Sequence, residues 1–105
     1  MRSLKFIVNA QTIAKDPTCD FSKIVAGSKG YLKAQFTFSK EWQDCILAAS
    51  FWRGDKEYAV LINNNECDIP SEALTGATFK VSVTGKKGDY RIPTNKVSVR
   101  QEVVR

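Results

Sequence analysis

The side chains with chemical potential in this chain are three cysteines, a scatter of carboxylates and a set of aromatics. Cys19, Cys45 and Cys67 are odd in number and widely spaced, and no CxxC pair exists to grip zinc or exchange thiols. Free thiols in a reducing compartment explain them better, although spacing alone leaves a bridge between two of them open. The chain has no histidine. That removes the commonest general base and metal ligand, and it forbids a Ser-His-Asp or Cys-His arrangement within one chain. The acids Asp44, Asp55, Glu57, Glu66, Asp68 and Asp89 fall mostly at turns, where solvation and turn-capping account for them better than a paired-carboxylate glycosidase site does. No glycine-rich loop leads into a helix that could cradle phosphate. The expectation is a protein that is not an enzyme and needs no cofactor or metal.

The aromatics offer another route to function. Trp42, Trp52, Tyr31, Tyr58 and Tyr90 are the residues from which a sugar-stacking platform or a protein-contact patch would be made. Core packing accounts for Trp42 and cross-strand pairing for most of the tyrosines. Trp52 stands apart, at the end of a strand beside the polar turn Arg53-Gly54-Asp55-Lys56. With Arg53, Lys56 and Tyr58 around that turn, and Lys86, Lys87 and Tyr90 around a second one, it defines the candidate interface. The tripeptide Arg53-Gly54-Asp55 carries no weight as an integrin signal, because Gly-Asp is what a hairpin turn requires anyway.

These residues need a frame, and the frame reads as strands. Phe79, Val81 and Val83 alternate with Lys80, Ser82 and Thr84, and Val97 and Val99 alternate likewise with Lys96, Ser98 and Arg100. A period of two sends apolar side chains to one face and polar ones to the other. This C-terminal pair, with Tyr90-Arg91-Ile92 closed by Pro93, reads as the edge of an antiparallel sheet. Upstream, residues 3 to 9 make a first strand with Leu4, Phe6 and Val8 on one face. Residues 31 to 38 place Leu32, Ala34, Phe36 and Phe38 on the dry side. Asp20-Phe21-Ser22 is a short strand or a turn. Ser39-Lys40-Glu41-Trp42 reads as a corner whose indole caps the core while its N–H reaches a backbone carbonyl. Residues 44 to 52 make a central strand, 57 to 62 its hairpin partner, Asn63-Asn64-Asn65 a turn, and 66 to 69 a short strand. Ser71-Glu72-Ala73-Leu74 makes one helical turn, capped by Ser71 or its neighbour and stopped by Gly76. Residues 102 to 105 extend the last strand or form a tail. About seven strands at roughly 8–12-residue spacing predict an all-β, two-sheet antiparallel sandwich.

The 105 residues, 43% hydrophobic and 26% charged, suit one domain over 1–105 with its own core. No apolar run approaches the ~20 residues that span a bilayer, so no membrane partner is expected. Residues 1 to 9 alternate where a signal peptide would run apolar, which places synthesis and folding in a cytoplasm. The net charge of +5 invites a nucleic-acid reading. In sequence, however, the basic residues Lys33, Arg53, Lys56, Lys80, Arg91, Lys96 and Arg100 stand singly, as on a solvated sheet face, and only Lys86-Lys87 is a pair. Nucleic acid is therefore not the expected partner.

Several of these segments resemble one family. They are Ser39 to Trp42, Ala48-Ala49-Ser50-Phe51, Cys67-Asp68-Ile69-Pro70-Ser71-Glu72-Ala73-Leu74, Phe79 to Gly85, and Ile92-Pro93-Thr94-Asn95. The chain is similar over residues 30 to 101 to the small immunoglobulin-like modules in virion proteins of tailed phages and prophages of Firmicutes; residues 1 to 29 add nothing to the likeness. The resemblance implies an immunoglobulin-like sandwich with a structural role on a virus particle, made in the bacterial host cytoplasm and located in the virion. A module standing alone fits a capsid (head) decoration protein on the outer surface of the assembled shell, and a net positive one would be steered to acidic patches there. The major capsid protein is the favoured partner, tail or baseplate proteins are further ones, and several copies can assemble on the particle. Three rivals follow: an attachment domain of a tail-fibre or baseplate appendage, a carbohydrate-binding module using Trp52 with Tyr58 or Tyr90, and a small basic barrel for single-stranded nucleic acid.

Overall fold

Alternating side chains build both walls of the core. In the computed structural model, which describes residues 1–104, strand β1 (Arg2–Asn9) buries Leu4, Phe6 and Val8 completely while Lys5 and Asn9 face water. Strand β3 (Leu32–Phe38) does the same with Leu32, Ala34 and Phe36. Flanked by β2 (Thr12–Lys15) and β6 (Glu66–Asp68), they form a sheet in the order β2-β1-β3-β6. The second sheet has the order β5-β4-β7-β8, from β4 (Ile46–Arg53), β5 (Lys56–Leu61), β7 (Thr78–Lys87) and β8 (Tyr90–Pro93), with β9 (Val97–Arg100) pairing β7 beyond β8. Ala49, Phe51, Phe79, Val81, Val83 and Val99 point from it into the same apolar cluster as the first sheet. The expected two-sheet β-sandwich is present.

In the number and pairing of strands, three details differ from what the sequence predicts. The described residues hold nine strands rather than about seven; the unanticipated one is β2, whose 4 residues bury only Ile13 and so show no alternation in the sequence. One pairing is parallel: β1 runs alongside β3 from Arg2↔Leu32 to Val8↔Phe38. Third, β7 is not an edge strand. It pairs β4 along one side and β8 and then β9 along the other, so the C-terminal segment is the middle of its sheet. Its burial on one face alone disguises that position.

The connections follow backbone chemistry. Gly54 (φ 61°) and Gly88 (φ 58°) each open a two-residue hairpin, as the primed turns require, and Asn64 and Asn65 (φ 54° and 61°) make the corresponding turn before β6. Asp20-Phe21-Ser22 is a turn, closed where Ser22 N–H and Oγ donate to Asp20 Oδ1. Strand β4 begins at Ile46 rather than at residue 44, since Asp44 sits at φ 63° in the corner before it. The short 3-10 turn Ser71–Leu74 starts after Pro70 with no side-chain cap and ends at Thr75. Glu102 makes an isolated bridge to Val25, and Val103 and Val104 are exposed beyond it.

The corner at Lys40–Trp42, a 3-10 turn, locks one end of the sandwich. Trp42 is 2% exposed and its Nε1–H donates to Ala10 O at 2.9 Å, the arrangement anticipated for a capping indole. Ala10 N–H donates in turn to Ser39 Oγ at 2.9 Å. Ala10 lies at φ 51°, a conformation costly for a residue with a Cβ, and the corner holds both of its backbone polar groups.

Candidate functional site

Strand register decides which of the candidate residues meet. Trp52, Arg53, Lys56 and Tyr58 cluster at the β4–β5 hairpin, through the pairs Arg53↔Lys56 and Phe51↔Tyr58. Lys86, Lys87 and Tyr90 cluster at the β7–β8 hairpin, through Lys87↔Tyr90. Because Trp52 pairs Lys80 while Ile46 pairs Lys86, the two clusters sit at opposite ends of β4. Six residues of strand separate them, roughly 20 Å. They form two patches.

The aromatics do not assemble into a platform. Tyr58 shares the inward face with Phe51 and packs against the core. Tyr90 lies at the far end, where its hydroxyl donates to Glu41 O at 3.1 Å. Trp52 points outward from the sheet. Its Nε1–H donates to Ser82 Oγ at 3.0 Å, and Lys96 Nζ lies 3.6 Å from the ring centroid. A sugar stacking on Trp52 would have to displace this cation–π contact from that side of the ring, and it would find neither tyrosine beside it.

The polar face of the second sheet has a composition that sequence distance conceals. Lys80 and Lys86 on β7, Arg91 on β8 and Arg100 on β9 all project from it, since Lys86 pairs Arg91 and Thr78 pairs Arg100. Lys96 joins them over Trp52. These five cations belong to residues spread over 21 positions of sequence. Among the described residues none of them forms an ion pair; the two ion pairs there are Lys33–Glu66 at 3.1 Å and Lys87–Asp44 at 4.0 Å. On the β4–β5 side of the same face, Ile46 and Leu61 are exposed by 70% and 62%, and Ala48 lies beside Leu61 in register. On the same side, toward the β4–β5 hairpin, Ser50 Oγ donates to Glu57. This face is not legible in the sequence, because alternation predicts which residues share a strand face, not which strands are neighbours.

Among the described residues no three His, Cys, Asp or Glu side chains come together as a metal site. All three cysteines are free thiols, Cys67 buried, Cys19 and Cys45 half-buried. Burial first, and then the neighbouring Asp68 and Glu66 carboxylates, push the Cys67 thiol up to about 12, which leaves it protonated and unreactive at neutral pH. The outer face of the first sheet is balanced in charge: Glu66 binds both Lys33 at 3.1 Å and Gln35 at 3.4 Å, and holds the lysine above its ordinary pKa. The hollow beside the Trp42 corner, about 470 Å³ and lined by Lys40, Glu41, Asp44 and Tyr90, is open to solvent.

No protein-family model matches the chain, and no curated protein or solved structure matches it either.

Proposed function

We propose that this chain is a phage virion accessory structural protein, a non-catalytic module that decorates the outer surface of the assembled capsid. The resemblance of residues 30 to 101 to immunoglobulin-like virion modules supports the biological setting. The observation that carries the mode of action is the second sheet's outer face, where cations without an ion-pair partner among the described residues stand on one surface. Such a surface suits attachment to another protein, and acidic patches on a capsid shell would both steer and hold it.

The test is co-sedimentation of the purified chain with heads, and separately with tails, from particles that lack it. Saturable binding to heads is the expected result. Binding to tails alone would assign the chain instead to a tail or baseplate appendage, and binding to neither would end the virion reading.

A further inference from the structure

We infer that the outer face of the β5-β4-β7-β8/β9 sheet is a two-part docking surface for an acidic protein partner that carries apolar side chains. The inference deepens the virion reading and rests on it for the partner's identity, though not for its chemistry. A sheet face turned permanently to water alternates polar residues along each strand. This one does so on β7, with Thr78, Lys80, Ser82, Thr84 and Lys86, but not on β4 and β5. There Ile46, Ala48, Ala59 and Leu61 point outward, with Ile46 and Leu61 70% and 62% exposed. Exposed aliphatics next to unpaired cations match the anatomy of a protein contact, an apolar centre with a charged margin. Ile46 lies directly opposite Lys86, so the two halves are contiguous.

The end of the face next to the β4–β5 hairpin is already ordered. Trp52 is tied to Ser82 by its N–H and covered by Lys96, and Glu57 is held by Ser50. A preorganised surface loses little side-chain entropy on docking. The same details weigh against nucleic acid. Trp52 is the one aromatic that the strand register places on this face, and Lys96 occupies a face of its ring where a base would stack. The aliphatic half offers phosphate nothing. Lys80, Lys86, Arg91 and Arg100 therefore meet carboxylates, and Ile46 and Leu61 meet the partner's apolar side chains.

The experiment is an amide chemical-shift titration of the 105-residue chain with a synthetic peptide of alternating Glu and Leu, run beside an oligo-dT strand as rival ligand. Shifts should map to Ile46–Trp52, Lys80–Lys86, Arg91 and Ser98–Arg100. Both K80E/R91E/R100E and I46S/L61S should weaken peptide binding ~10-fold or more while keeping native spectral dispersion. Shifts on another surface, no shifts, unchanged affinity in either variant, or tighter binding of oligo-dT on this face would overturn the inference. Sedimentation with particles separates it from the reading it rests on. If heads or tails bind wild type and K80E/R91E/R100E equally, the surface is wrong and the virion reading stands. If the peptide maps to this face but no particle binds, the virion reading fails and the surface stands.

Discussion

Thr94 shows what a single side chain does for this fold. Strand β8 ends opposite Thr84 and β9 begins opposite Val81, which leaves the backbone of Val83 without a strand partner on that side. Thr94 fills the gap: Val83 N–H donates to Thr94 Oγ1 at 2.9 Å, and Thr94 N–H donates to Val83 O at 2.9 Å. Asn95 continues the stitching, accepting from Ile13 N–H at Oδ1 (2.9 Å) and so joining the second sheet to β2. The Pro-Thr-Asn segment is thus a structural splice. Thr94→Val keeps the shape and removes the acceptor, and should cost about 1–3 kcal/mol in denaturant unfolding, with no change in the strand content seen by circular dichroism. The thiols give a second prediction at this level. Under native conditions Cys19 and Cys45 should react with a thiol reagent within minutes, and Cys67 only after denaturation; mass-spectrometric mapping of the labelled residues checks it.

Strand β1 is the element whose weight the sequence hides. It lies outside the region of family resemblance, yet it sits between β2 and β3 and its Phe6 packs on Phe36 and Phe21 at ring-centroid distances of 5.7 and 5.5 Å. Arg2 secures the following loop, donating to Lys23 O, Asp20 O and Ser22 O at 3.2, 3.0 and 2.6 Å. Removing residues 1 to 29 would strip β1 and β2 from the first sheet, leaving β3 and β6 as a single pair over an open core. Two strands are marginal by themselves. A chain beginning at residue 30 should therefore give the collapsed amide dispersion of an unfolded protein, although it contains every motif of the resemblance. Phe6→Ala in the full chain should cost about 3–5 kcal/mol in the same denaturant measurement.

Across the whole molecule, charge is distributed unevenly, balanced on the first sheet and positive on the second. Hydrogen bonds also couple the fold to pH. The Thr18 backbone N–H and hydroxyl hold the Asp16 carboxyl below its ordinary pKa, the Ser22 hydroxyl and N–H do so for Asp20, and the Ser39 hydroxyl for Glu41. A carboxyl whose pKa is lower folded than unfolded stabilises the fold above its unfolded value. That contribution is lost as pH falls through the folded value. Thermal midpoints should therefore stay level from neutral pH to about pH 5 and drop below about pH 4, with Asp16→Ala and Asp20→Ala flattening the drop.

Alternation along each strand, turn residues with left-handed backbone, and the corner tryptophan were legible from residue types, because they depend on contacts within a few positions. Two facing sheets, a buried Leu4-Phe6-Val8 stripe and the Trp42 hydrogen bond follow from them. The splice at Thr94, the parallel pairing of β1 with β3 and the central place of β7 needed the tertiary structure. So did the separation of the two candidate patches by the length of β4, and the gathering of Lys80, Lys86, Arg91, Lys96 and Arg100 onto one face. Which strands become neighbours is decided by long-range packing and loop closure, and a two-residue period along the chain carries no record of either.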